Sequence, residues 1–403
     1  MKKKTTIFKR RIVHVLACLL LAVLCSTNFY GQTKKLANQA TIITPGNNRY
    51  DVCLLLPCNF KPTVDNLSYI TDTNQTNSAR LYGSPGLLLG LGSYKGGVEV
   101  TFPSTVPANQ WSYVQINADS SLLKALLGGS LGNALGNVLG AVLIGNQEIE
   151  VEALMGSTSV LKRTNTQGFT TDNVKLLQGA GGEYYLALKP NQNYNKIRIT
   201  NQSASLAGLY SEYTLDVYSA FTYDDTGADC GRPLATSFDG SGGLGLQVAD
   251  LNNQYLGRAI DTDANSYSLL KSSGVLDLSV ARSFSQYFYF ATTSPAESTL
   301  NIKLALGSGG VINTDLLGGI EVILTKWNPS TSQNDIVYRR SLQSGLLNNI
   351  NALALLQSGS AATLTFAPGR EFDRAEVRLN STVGLSVLGN GVRIYDVQRY
   401  DGS

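Results

Sequence analysis

This chain carries one segment twice. Tyr184-Tyr185-Leu186-Ala187-Leu188-Lys189-Pro190, then Leu215-Asp216-Val217-Tyr218 and Tyr223-Asp224, return as Ala362-Thr363-Leu364-Thr365-Phe366-Ala367-Pro368, then Val392-Arg393-Ile394-Tyr395 and Tyr400-Asp401. Earlier in the copies, Asn77-Ser78 lies on Asn265-Ser266 and Val114-Gln115-Ile116 on Ile302-Lys303-Leu304, both at an offset of 188 (302 − 114). Ile149-Glu150-Val151 matches Ile320-Glu321-Val322 at 171 (320 − 149), Leu176-Leu177-Gln178 matches Leu355-Leu356-Gln357 at 179 (355 − 176), and Tyr218 matches Tyr395 at 177 (395 − 218). The offset changes only at loop-like places, as it does between two homologous domains. The period is too long for a solenoid repeat. Two copies of one unit share one fold, and a module in tandem binds or spaces something.

The strand signal inside each copy is alternation. Val98, Val100 and Phe102 share one face, as do Ile197 and Ile199, and Ala375, Val377 and Leu379. Period two over five to seven residues marks a half-buried antiparallel strand. Tyr287-Phe288-Tyr289-Phe290 is a denser run, expected to be buried on both faces. About eight short strands per copy, separated by turn residues, point to a β-sandwich. The fold class read here is all-β, with two tandem antiparallel β-sandwich modules of jelly-roll type. Residues 1–31 read as a signal peptide and 32–65 as an N-terminal lead-in. The first module spans 66–224, a Gly/Ser-rich linker 225–248 reads as a hinge, and the second module spans 249–403.

The signal reading rests on Lys2, Lys3, Lys4, Lys9, Arg10 and Arg11 ahead of an apolar core, Ile12 to Leu24. That run is short for a stable transmembrane span, so the expected location is secreted, extracellular or cell-surface. Without those six cations the balance is 26 basic against 29 acidic residues, or −3. No basic patch interleaved with aromatics remains, and nucleic acid is a poor partner. Export permits disulfides, yet Cys53, Cys58 and Cys230 leave an odd cysteine whichever pair forms.

The one histidine, His14, lies inside the signal. The remainder lacks Ser-His and Cys-His nucleophile pairs and imidazole bases. Gly128-Gly129-Ser130-Leu131-Gly132 fits GxSxG, but it sits in a Leu/Gly-rich stretch, 122–145, rather than at a strand-to-helix turn. That stretch, with glycine every fourth residue, reads as an apolar loop or short helix packed on the sandwich, or as an inserting helix. Leu346 to Leu356 reads as another short helix. The expectation is a non-enzymatic binding protein. Its ligand would be a polysaccharide or another cell-surface component held by loop aromatics, for which Trp111, Trp327, Tyr338 and Tyr94 are the candidates. A structural spacer or assembly subunit is the alternative, and a carboxylate-dependent glycan hydrolase stands behind both.

One polar turn suggests a cation. Asp261, Asp263, Asn265 and Ser266, with the copy Asp72, Asn74, Asn77 and Ser78, gather oxygen donors of the kind a structural Ca²⁺ takes. The same residues make an Asx-rich turn that satisfies its own backbone. Ala259 to Tyr267, followed by strands and the closing strand Val392 to Val397, resembles the discoidin or coagulation factor type C (galactose-binding-like) sandwich. The duplicated unit is also similar to repeat modules of secreted surface proteins of gliding bacteria of the Bacteroidota type. The turn glycine of the discoidin motif is Thr262 here, and its tryptophan position holds Tyr267 or Ala79. The resemblance implies a jelly-roll sandwich, a calcium near Asp261 and Asp263, and sugar or surface binding through loops at one end.

Overall fold

The computed structural model describes residues 34–44, 48–53, 56–86, 92–129, 146–204, 211–223, 231–242, 255–270, 281–306, 317–343, 350–380 and 391–401. The strands of the first half are β1 (Lys34–Leu36), β2 (Gln39–Ile42), β3 (Asn48–Cys53), β4 (Leu56–Pro62), β5 (Val64–Asp65), β6 (Ala79–Gly83), β7 (Gly96–Val106) and β8 (Ser112–Asn117). They continue with β9 (Gln147–Met155), β10 (Thr158–Thr164), β11 (Thr170–Thr171), β12 (Val174–Gln178), β13 (Tyr184–Leu188), β14 (Tyr194–Ser203) and β15 (Tyr213–Tyr223). The second half holds β16 (Ala235–Gly242), β17 (Ser268–Leu270), β18 (Ala281–Tyr289), β19 (Thr299–Leu306) and β20 (Ile320–Asn328). It closes with β21 (Gln333–Ser341), β22 (Ala362–Phe366), β23 (Arg374–Asn380) and β24 (Val392–Tyr400).

The protein is all-β, and every pairing among its named strands is antiparallel. One sheet of the first half runs β10-β9-β14-β7-β2, and the second half repeats that order as β21-β20-β23-β18-β16. The facing sheet runs β13-β8-β15-β6 in the first half and β22-β19-β24-β17 in the second. The irregularities repeat as well. Tyr218 is the extra residue between Val217, opposite Ile116, and Ser219, opposite Gln115. Tyr395 is the extra residue between Ile394, opposite Leu304, and Asp396, opposite Lys303. A bulge moves the following side chains to the other face. That is why the buried positions of β24 are Val392, Ile394 and then Val397. A second matched bulge falls at Val160 in β10 and Val337 in β21.

The apolar positions of the alternation are buried, and Glu99 and Glu376 between them are buried as well. Val98, Val100, Ile197, Ile199, Ala375 and Val377 are fully buried, and Phe288, Tyr289 and Phe290 are buried beside half-buried Tyr287. The stretch from Leu122 starts as a helix, Ser120–Leu127, capped by Asp119, which accepts from the amides of Ser121 and Leu122. Its buried leucines pack on β12 and β16. The rest of that stretch, including Ser130, lies outside the described residues. Ile350–Gln357 is the other helix.

Three boundaries differ from the sequence reading. The lead-in is part of the first sandwich, because β1 pairs β15 and β2 pairs β7. The linker is no hinge over 231–242, where β16 forms a strand between β18 and β12. Gly231 accepts a backbone hydrogen bond of 2.6 Å from Arg399, as Lys35 stands opposite Thr222 in the first copy. Gly/Ser composition suggested flexibility, but Phe238 buries its ring against Phe284 and Thr236 is fully buried. Finally, Leu176-Leu177-Gln178 and Leu355-Leu356-Gln357 match in sequence but not in structure, being strand β12 in one copy and helix in the other. The second version, Ile350-Asn351-Ala352-Leu353-Ala354-Leu355-Leu356, is rich in strong helix formers.

That last difference joins the halves. β12 extends the facing sheet of the first sandwich and, through Gln178 opposite Thr236, meets β16 of the second, giving one 13-stranded sheet across the molecule. Gly257 donates to Gln178 Oε1 at 3.0 Å, and a Cβ on Gly257 would stand 2.2 Å from the carbonyl oxygen of Gly179. Around the junction Tyr113, Leu177, Tyr185 and Phe221 form an apolar cluster with Leu234, Ala235 and Tyr289. The side chains of Cys53 and Cys58, and all of Cys230, lie outside the described residues.

Candidate functional site

Where the halves meet they leave a cleft of about 300 Å³. Its first wall is the turn Pro107 to Gln110 leading into Trp111 at the head of β8. Asn109 takes a left-handed φ of 64°, which asparagine tolerates, and its amide donates to Pro190 at 2.7 Å. Gln110 Nε2 donates to the carbonyl of Tyr223 at 2.9 Å, which ties the turn to the end of β15. The opposite wall is Trp327 near the end of β20. Its amide donates to Asp373 Oδ2 at 2.9 Å and its indole Nε1 to Asn109 Oδ1 at 3.2 Å. The second of these bonds crosses from one half to the other. The only two tryptophans of the chain therefore line one cleft.

Between them stands Lys189, the residue after β13, held by its amide to Asn173 O at 2.8 Å. Its Nζ lies 3.3 Å from the centroid of Trp327 and 4.7 Å from that of Trp111. Lys189 is only 4% exposed. Burial pushes its amine down to about 7, with Asp373 opposing. The indole faces favour the ammonium form, and desolvation favours the neutral amine. The floor carries an ion cluster. Arg374 Nη1 meets Asp172 Oδ1 at 3.2 Å, and Lys175 Nζ lies 3.6 Å from the same oxygen. Burial alone would raise the Asp172 carboxyl, but these two cations hold it below its ordinary value, while burial raises that of Asp373. A smaller hollow of about 150 Å³ shares Asp172, Lys175, Tyr289 and Arg374 with the cleft.

Of the four aromatic candidates the structure brings Trp111 and Trp327 together and leaves the others elsewhere. Tyr338 lies on β21, edge-on to Phe366 at 6.4 Å. Tyr94 bridges to Ser84 and donates its hydroxyl to Glu212. Sequence reasoning missed Lys189, Asp172, Lys175, Asp373 and Arg374. The duplication drew attention to positions the copies share, and here they differ, since Lys189 of one copy answers to Ala367 of the other.

The cation candidates form two Asx turns, and none of them lines the cleft. Asp261 Oδ1 accepts from the amide of Asp263 at 3.0 Å, Asp263 Oδ1 accepts from that of Asn265 at 2.9 Å, and Ser266 Oγ donates to Asp261 at 2.7 Å. In the copy, Asp72 accepts from the amide of Asn74 at 2.9 Å and from Asn77 Nδ2 at 3.0 Å, and Asn74 Oδ1 accepts from the amide of Thr76, with Ser78 following ahead of β6. Two cations already serve the second turn. Arg232 Nη1 donates to Asp261 O at 2.6 Å and to Asp396 at 2.8 Å, and Lys303 Nζ donates to Ala264 O at 3.1 Å. The carboxylates of both turns thus accept hydrogen bonds from their own turn, and in the second turn two backbone carbonyls accept from cationic side chains. Among the described residues no three or more of His, Cys, Asp and Glu cluster, and no helix there is long and apolar enough to cross a membrane.

No family model matches the chain, and no curated protein matches it. Among solved structures it is similar to allantoicase from Saccharomyces cerevisiae, at 8% identity over 76% of this chain and 77% of that one, with a TM-score of 0.25. It is also similar to a family 32 carbohydrate-binding module from Streptococcus pneumoniae EndoD, at 9% identity over 48% of this chain and 100% of that one, with a TM-score of 0.22. A further neighbour is the second family 32 module of a GH31 protein bound to GalNAc, at 15% identity over 41% of this chain and 97% of that one, with a TM-score of 0.21. At these scores no activity or ligand is carried across.

Proposed function

We propose that this is a non-enzymatic, exported glycan-binding protein whose binding site is the cleft between its two sandwiches. The observation that carries the reading is the convergence of both tryptophans, one from each half, on a single cavity rimmed by amides and charged groups. Ligand sites of this kind pair aromatic walls with a few placed polar groups. A saccharide ring offers the matching surface, an apolar face for the indoles and hydroxyls for Asn109, Gln110 and Asp373. The polymer would belong to a cell surface or its matrix, in keeping with the reading of residues 1–31 as a signal peptide.

Tryptophan emission of the mature chain reports this cleft alone, because no other tryptophan exists. Titration with a glycan panel should shift that emission for at least one member. Trp111→Ala and Trp327→Ala should each weaken binding of that glycan by about fivefold, an aromatic contact being worth about 1 kcal/mol. A panel that leaves the emission unmoved and fails to retain the protein on immobilised glycan sinks the reading in favour of a structural spacer.

A further inference from the structure

We infer that the cleft is built for an acidic sugar, whose carboxylate pairs with the Lys189 ammonium between the two indoles. This rests on the glycan reading above and narrows it to a substrate class. The cleft holds three cationic side chains, Lys175, Lys189 and Arg374, against two carboxylates, Asp172 and Asp373. Arg374 and Lys175 are both taken up by Asp172. Asp373 receives the amide of Trp327, and its backbone carbonyl receives that of Phe290. Lys189 is the member left over. It is buried and lines the cavity, and within 3.3–4.7 Å its ammonium meets two indole faces rather than an oxygen acceptor. A buried ammonium wants an anion with hydrogen-bonding oxygens. A monocarboxylate supplies both and brings the cleft to charge balance.

The pairing couples binding to a proton. The charged and titratable groups that face Lys189 are Asp373, Arg374, Asp172 and Lys175, with Tyr113, Tyr223 and Tyr289 also on the walls. Burial brings the Lys189 amine down to about 7. An incoming carboxylate must recharge it, so a proton is taken up as the ligand binds.

The test uses the mature full chain and matched sugars: oligomers of galacturonate, glucuronate and mannuronate against oligomers of galactose, glucose and mannose. Binding is followed by tryptophan emission and by calorimetry in two buffers of different ionisation heat. At least one uronate oligomer should bind tenfold or more tighter than its neutral parent. Its affinity should fall by up to about tenfold per pH unit above about 7, and the buffers should reveal proton uptake. Lys189→Met should erase the preference, and Lys189→Arg should keep it while losing the pH dependence. Circular dichroism on both variants checks that they are folded. Neutral oligomers binding as well as uronates, with Lys189→Met indifferent, would overturn this inference and leave the glycan reading intact. Failure of every oligomer to bind would overturn both.

Discussion

Lys189 carries its amine where water is scarce, and the fold tolerates this at a cost that varies with pH. With the folded amine near 7 and the unfolded one near its ordinary value of 10.5, the unfolded chain holds the extra proton between those limits. Stability therefore rises with pH from about 7 upward, by at most about 1.4 kcal/mol per unit. Below about 7 both states are charged and the burial penalty is present in full. Lys189→Met should be more stable than the parent at pH 6, and the gap should narrow toward pH 9, as read from urea melts at each pH. Parallel pH profiles for the two proteins would show that the amine is not desolvated. A lysine just after a strand and before a proline looks ordinary in sequence, and its unusual state comes from burial where the two halves meet.

At the scale of elements, the Asx turns ahead of β6 and β17 show how one residue pattern serves two readings. Alternating Asp, Asn and Ser provide oxygens for a hard cation or caps for backbone amides, and only the surrounding charges decide between them. In the second copy Arg232 and Lys303 already bring positive charge to the turn carbonyls. Adding calcium should leave the melting temperature unchanged, and chelator should not lower it. A clear rise with calcium, reversed by chelator, would restore the ion to these residues. The strand β12 and the helix Ile350–Gln357 show the same lesson for secondary structure. Their shared Leu-Leu-Gln carries no period by itself, so flanking helix formers in one copy and pairing with β13 in the other decide the outcome.

For the whole molecule, the seam is the decisive feature. A continuous sheet, an apolar cluster drawn from both halves, the Asp172–Arg374 ion pair and the Trp327–Asn109 hydrogen bond all cross it. Two modules on a flexible hinge would unfold separately. Two modules sharing buried apolar surface should melt together. Calorimetry of the chain is expected to give one transition with matching calorimetric and van't Hoff enthalpies, and two resolved transitions would refute the shared core. The cleft belongs to this scale because neither half contains it, and glycan binding should be lost when the halves are expressed apart.

The repeated segment and the period-two burial were legible from residue order alone, because alternation is local and duplication preserves it. They determined an all-β chain and the apolar face of its alternating strands, whereas the bulges at Tyr218 and Tyr395 emerged only from the pairing. Tertiary structure decided how the sandwiches meet. Their junction uses unlike positions of the two copies, far apart in the chain, and it binds a stretch of Gly/Ser composition into a central sheet. It also turned Trp111, Trp327 and Lys189 into one site, since the charge state of an amine and the company of an indole depend on what folds against them.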